Sequence, residues 1–329
     1  MEGVGGCIIM EKSRLLKQSY KIQKVIYAIF RLLVLFAIGY IILYPLLHSL
    51  SVSIQSRDSL FASTRIWVPT DLDIKQNYEA AWKSLDYGNA LFYTCIYQLA
   101  AAAIQIVSCG VAAYGFARFE FKGKNLMMLL LFISIIVPDM IVLIPRVITY
   151  SQVDFLGILG FVKKLTDVDL RLNLIDTGWT YWLPALFGVG LRSGILIYIY
   201  IQFFKGLPKE LEEAAWVDGA GPIRTFLQIA VPSSRVVILT VSVFSVIWHW
   251  NDWLLCGIYL KNRFPLAIKV RDMLYYIGQA YGIGPDIHTP QTAAYMMAGC
   301  VLFVVPVLII YIIIQRWFIE SIDRVGITG

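Results

Sequence analysis

The side chains able to do chemistry fall into two groups. The first is WHWNDW, Trp248 to Trp253, set in an apolar run. Asn251 and Asp252 could exchange hydrogen bonds with sugar hydroxyls, while the indole faces of Trp250 and its neighbours offer platforms for the apolar side of a ring. The same residues equally suit an interfacial tryptophan belt, with Asn251 bonded to a neighbouring helix. The second group is the segment Leu207 to Arg235, LPKELEEAAWVDGAGPIRTFLQIAVPSSR, where three glutamates precede paired alanines. Asp139 and Arg192 also stand inside apolar runs, where a charge is costly unless it faces protein or water. Counted from Leu126 and Phe204 they lie 13 and 12 residues in, about 20 and 18 Å at helical rise, so they are expected either to pair or to leave Arg192 facing a pathway. Arg146, nearer a helix end, is expected to snorkel.

No catalytic constellation stands beside them. Five cysteines (Cys7, Cys95, Cys109, Cys256, Cys300) lack CxxC spacing and three histidines are scattered, so neither a disulfide framework nor a metal site is expected. No GxxxxGK(S/T) occurs, the only Gly-Lys pair being Gly123-Lys124, so ATP would have to be bound by another chain. Neither a nucleophile with its base nor paired acids can be picked out, and a polytopic membrane enzyme is disfavoured. The reading is a non-enzyme with no cofactor of its own.

The elements that must carry these residues follow from composition. Of 329 residues, 58% are hydrophobic and 15% charged, against about 25% charged in an ordinary soluble domain. The apolar residues fall into six runs, near 25–48, 89–117, 126–148, 178–204, 236–256 and 292–315, each long enough to cross a bilayer core of about 30 Å. Such runs are too long and uniform for barrel strands, so an all-α polytopic helical bundle with six transmembrane helices is expected. The tail 1–24 and the connections after the second, fourth and sixth runs hold 14 Lys and Arg in 77 residues, with a surplus of five positive charges. The other three connections hold 11 in 104 residues, fully balanced by acids. Positive residues collect on the cytoplasmic side, so both termini should be cytoplasmic and residues 25–329 a single transmembrane domain after the short tail 1–24. The net +6 is spread over these short loops, the ordinary topology signal, and nucleic acid is not expected as a partner.

The segment 207–235 lies between the fourth and fifth runs. Pro208 suits a first helical turn, Glu210, Glu212 and Glu213 favour the positive end of the helix dipole, and Gly219 to Pro222 ends the helix. A second helix, Ile223 to Ala230, is expected to stop at Pro232. Glu213 with Ala214 and Ala215 makes a narrow knob that could enter a groove on another protein. On residues alone, a solvated amphipathic helix is the favoured reading.

The spacing of Glu-Ala-Ala at 213–215, Asp-Gly-Ala at 218–220, and then Phe226, Ile229 and Pro232 resembles the EAA loop of binding-protein-dependent ABC importer permeases. Further matches are Asn77-Tyr78, AAYGFARFEFKG (Ala112 to Gly123), Pro138 and Pro145, Trp250-Asn251-Asp252, and Arg316-Trp317. Together they resemble the maltose-permease-like branch of carbohydrate importers, over nearly the whole chain from about residue 25. Val231 stands where leucine is usual, and the connection Tyr150 to Asp176 is longer than is common. The resemblance implies a multi-pass subunit of a bacterial cytoplasmic (inner) membrane. Its partners would be a homologous permease, an ABC ATPase dimer, an extracytoplasmic solute-binding protein and the surrounding lipid bilayer. The cargo would be a carbohydrate, an oligosaccharide first. Glu213, Ala214, Ala215, Asp218 and Gly219 would dock on the ATPase. Trp250, Asn251, Asp252 and Arg192 are the pathway candidates. The alternatives are a secondary transporter, or an ABC permease for a non-sugar solute.

Overall fold

The computed structural model describes residues 3–62, 69–154, 159, 163–164, 171–282 and 289–326, with side chains for residue 20 and for those between 23 and 316. In chain order its helices are α1 (Gly3–Ser53), α2 (Arg57–Ala62), α3 (Ile74–Leu85), α4 (Tyr87–Arg118, with a π turn at Thr94–Leu99), α5 (Lys124–Ile136) and α6 (Asp139–Ser151). There follow α7 (Trp179–Leu186), α8 (Ser193–Gly206), α9 (Glu210–Val217), α10 (Pro222–Ser233) and α11 (Arg235–Trp250). The chain continues with α12 (Leu254–Tyr259), α13 (Leu266–Arg271), α14 (Met273–Tyr281) and α15 (Pro290–Gly326). Strand pairing among the described residues is confined to the isolated bridges Gln55 to Leu72 and Val153 to Leu172.

The apolar runs become helices because an apolar segment in lipid must bond its own backbone. Three are long and apolar enough to cross a membrane: Gln23–Ser53 of α1, all of α4, and Pro290–Arg316 of α15. The bent pairs α5/α6 and α10/α11 bring this to five if each pair counts as one crossing. The first of these helices begins before its apolar run, α1 extending from Gly3 to Ser53.

Three runs expected to be continuous are broken, one of them, 236–256, at residues 251–253 between α11 and α12. Pro138 has no N–H to donate and holds the residue before it out of the helical region; Val137 is extended, at φ −67° and ψ 119°, and α5 meets α6 at 103°. The run 178–204 is interrupted at 187–192, where Gly188 (φ 67°) and Arg192 (φ 53°) are left-handed. In the opposite sense, Pro232 does not end its helix: α10 continues to Ser233 before bending 80° into α11.

The bundle is organised around α4. Small side chains at Ala101, Ala102, Cys109, Gly110 and Ala113 let neighbouring helices approach closely, as membrane helix contacts require. The ring of Tyr200 on α8 lies 3.7 Å from where a Cβ at Gly110 would stand. Leu196, Tyr200, Ile201 and Phe204 of α8 and Val237 and Val241 of α11 pack there. At the other end, Ala81, Leu85, Trp250, Met273 and Tyr295 form a second core joining α3, α11, α14 and α15. Asn77 explains the Asn-Tyr pair noticed in the sequence. Its buried amide donates to Ser53 O (2.9 Å) and Gln55 O (2.8 Å), capping the carbonyls that α1 leaves free, and accepts from Gln291 on α15 at 3.1 Å.

Candidate functional site

The connection from α8 to α11 presents a compact helical knob. Its inner side is fixed: Glu212 is buried and accepts a 2.9 Å hydrogen bond from Arg118 Nε, while Arg118 Nη2 donates to Leu207 O at 2.8 Å. Tyr114, one turn before Arg118, packs its ring edge-to-face with Phe204 of α8 (centroids 5.5 Å apart) and at a tilt against Phe226 of α10 (4.8 Å). The outer side is bare. Glu213, Ala214, Asp218 and Gly219 are exposed and Ala215 is half-buried. Val217 and Ile223 are 88% and 76% exposed, with Leu227 and Trp216 also open. Gly219 has φ +80°, which only glycine adopts without cost, and its N–H closes the helix end onto Trp216 O.

The second group lies inside the bundle. Arg192 is exposed and makes no ion pair among the described residues. Its guanidinium instead covers the Trp248 ring at 5.1 Å, in cation–π contact. Asn251, one turn beyond Trp248, is exposed, and its amide donates back to Ile247 O. Trp250 and Asp252 point elsewhere: Trp250 is buried, its indole N–H donating to Phe303 O at 3.2 Å, and Asp252 is buried, accepting from Leu255 N at 3.0 Å. Thus Arg192 and Asn251 share the open side of α11 through Trp248, while Trp250 and Asp252 sit in the packed side.

The expected Asp139 to Arg192 pair does not form. The bend at Pro138 removes Asp139 from the depth that a straight helix assigns it, and Asp139 instead meets Arg146 at 3.5 Å. Arg146 therefore does more than snorkel.

The break beside Arg192 is closed by side chains from α4. Gln105 Nε2 donates to Leu191 O and to Ser193 Oγ, both at 2.7 Å, its Oε1 accepts from Ser245 Oγ of α11 at 2.8 Å, and Ser108 donates to Ala185 O. Backbone at this depth needs such partners, because no water is available in lipid. On the far side of α7, Asp176 (φ 65°) accepts from Lys261 N (2.8 Å), Asn262 N (3.1 Å) and Asn262 Nδ2 (3.1 Å). Partial burial pushes its carboxyl up, but these donors and Arg263 outweigh it and hold the group below its ordinary value. The long connection before it is only partly visible: 155–158, 160–162 and 165–170 lie outside the described residues.

Residues 106–324 match the profile of the binding-protein-dependent transport system inner membrane component. The chain belongs to this family. It is a family of membrane transport components rather than of enzymes. Among its relatives is the arabinooligosaccharides transport system permease protein AraQ of Halalkalibacterium halodurans, 25% identical over 301 residues, covering 89% of this chain and 93% of that one. The osmoprotective compounds uptake permease protein GgtD of a Synechocystis species is 28% identical over 295 residues, 87% of each chain. The diacetylchitobiose uptake system permease protein NgcG of Streptomyces coelicolor is 26% identical over 295 residues, 89% of this chain and 86% of that one. In fold, the chain resembles a bacterial ABC transporter involved in import of the acidic polysaccharide alginate, with a TM-score of 0.65 at 16% identity, over 89% of this chain and 96% of that one.

Sequence reasoning passed over Glu212, Arg118 and Gln105. Glu212 stands in a row of glutamates with nothing local to mark it, and its partner is 94 positions away. Gln105 carried a signal: an amide in an apolar run must find a partner.

Proposed function

We propose that this chain is one permease subunit of an ATP-driven importer for a carbohydrate, an oligosaccharide in the first instance. It has six membrane crossings and cytoplasmic termini, and α7 and α8 together make the fourth crossing. It catalyses no covalent reaction, and ATP is bound by a partner. A homologous permease completes the pathway, an ATPase dimer docks beneath, and a solute-binding protein delivers cargo outside.

The observation that carries this reading is the knob at α9 and α10. Large apolar side chains, Val217 and Ile223 above all, stand exposed among the described residues, on a connection outside the crossings, close in sequence to the carboxylate of Glu213. An isolated chain has no use for such a patch; a docking surface has. Substrate passes the open side of α11, where Arg192, Trp248 and Asn251 offer an aromatic face and polar groups, with Trp250 and Asp252 shaping the wall from behind. The relatives named for oligosaccharides support the cargo class.

The broken α7/α8 and the bent α5/α6 favour a secondary transporter, in which discontinuous helices frame the substrate site. Reconstitution of the whole complex with a panel of neutral and uronate-containing oligosaccharides separates the two. ATP hydrolysis should rise with the correct sugar and binding protein, and Glu213→Ala should leave hydrolysis running while uptake falls. Uptake that persists without the ATPase refutes the reading.

A further inference from the structure

We propose that the buried Arg118 to Glu212 ion pair is the positioning link through which motion of the coupling knob reaches α4, and through α4 the break beside Arg192. The proposal rests on the reading that α9 and α10 dock on an ATPase.

The guanidinium sits across a joint. Leu207 caps α8 and Glu212 belongs to α9, so the turn between them, 207–209, is where the knob would pivot against the fourth crossing. Arg118, the last residue of α4, holds both sides of that joint, Nη2 on Leu207 O and Nε on Glu212 Oε1. With this clamp in place α9 cannot swing about 207–209 unless the end of α4 moves too. The side chains of Arg118 and Glu212 are 5% and 3% exposed, so water competes little for either, and charge-assisted hydrogen bonds of this kind are among the stronger ones. The neighbouring Glu210 and Glu213 are exposed, which separates the residue facing the bundle from those facing a partner. Tyr114 strengthens the same joint by packing against α8 and α10 at once.

From Arg118 the path runs up one unbroken helix, Ala100–Arg118, to Gln105. That side chain holds Leu191 O, Ser193 Oγ and Ser245 Oγ, which brackets Arg192 from both the α8 and the α11 sides. A displacement at the knob is therefore delivered to the only broken stretch of the fourth crossing, next to the one cation on the open side of α11 placed over an indole. Glu213, by contrast, serves the contact with the partner and has no part in this path.

The test uses the full complex in proteoliposomes, with uptake and ATP hydrolysis measured on the same preparation. Glu212→Gln keeps the shape and one acceptor but removes the charge. Arg118→Met with Glu212→Leu replaces the pair by apolar side chains of similar length, and Arg118→Glu with Glu212→Arg exchanges the charges. Glu212→Gln and the apolar pair should hydrolyse ATP at close to the wild-type basal rate yet import at least fivefold fewer sugars per ATP, and the exchanged pair should recover to within about threefold of wild type. Spin labels on the exposed Val111 of α4 and on residue 191, with Arg118 and Glu212 intact, should move together on ATP binding, and labels at 191 should stop responding in the apolar pair. Unchanged sugars per ATP in assembled Glu212→Gln and apolar-pair complexes overturns the proposal. So does failure of both to assemble, since the pair then serves assembly alone. Wild-type uptake that needs no ATP would instead defeat the docking reading, a separate outcome visible before any variant is made.

Discussion

Replacing Gln105 by leucine removes a side chain that closes the break between α7 and α8 while keeping apolar bulk. Its amide nitrogen serves Leu191 O and Ser193 Oγ and its oxygen serves Ser245 Oγ. The two serine hydroxyls can turn to other acceptors, and Ser245 Oγ already lies 3.4 Å from Ala102 O. The Leu191 carbonyl loses its only side-chain donor. Stranding one buried carbonyl costs about 1–3 kcal/mol, and interhelical hydrogen bonds in membranes average about 0.6 kcal/mol each, so Gln105→Leu should destabilise the fold by about 2–4 kcal/mol. Reversible unfolding in mixed micelles, followed by the fluorescence of the nine tryptophans, measures this. In a double-mutant cycle Gln105→Leu and Ser245→Ala should couple by about 0.5–1.5 kcal/mol. A loss under about 0.5 kcal/mol, or additive losses in the cycle, would refute the view that α4 holds the break closed.

At Gly219 the backbone is left-handed but the space around an added Cβ is open. Harm to uptake should therefore follow backbone tolerance rather than size, with asparagine mildest, alanine intermediate and valine worst; valine no worse than alanine would contradict this. In a cysteine-replaced background, membrane-impermeant reagent added outside should label residues near Asp73, Lys163 and Arg271 and spare those near Lys122 and Arg224, and labelling at Arg224 would overturn the topology. The Asp176 carboxyl, held below its ordinary value, stabilises the clip to Lys261 and Asn262 fully above about pH 4, the unfolded carboxylate's range, and loses this as the pH falls through its lower folded value. Amide exchange at Lys261 and Asn262 should accelerate below about pH 4 in the wild type and be fast at every pH in Asp176→Ala; a pH-independent wild type would speak against it.

The helical class, the membrane setting and the knob were legible because each rests on local chemistry. Apolar runs announce themselves by length, and Glu213 to Gly219 by spacing. Glycines and prolines were visible too, but their consequences were not all of one kind. Pro138 breaks its helix, whereas α10 carries Pro232 as its next-to-last residue, directly after a π turn at Phe226–Ala230, and bends only beyond it. The site was legible only in part. Asn251 and Arg192 lie on an open side, whereas Trp250 and Asp252 face the core, and the adjacent Asn251 and Asp252 part company in the turn that ends α11, which no helical periodicity describes. Depth counting paired Asp139 with Arg192 on the assumption of straight helices, which Pro138 removes. The contacts of Glu212 and Gln105 join residues 94 and 140 positions distant, so no window of sequence contains them.

The right-angle turn at Pro138 also bears on the lipid around the protein. Only α5, 13 residues and about 20 Å long, runs in its own direction before the chain turns by 103°, which is short of a hydrocarbon core of about 30 Å. Its outer surface, with Leu126, Leu129, Leu130, Ile133 and Ile136 exposed, is as oily as any in the bundle. Acyl chains beside α5 must then compress or let α6 lie among the headgroups, a thickness mismatch borne by one flank alone. Bilayers of shorter acyl chains relieve that flank. The membrane's composition thus becomes a quiet determinant of how freely this wall of the transporter moves.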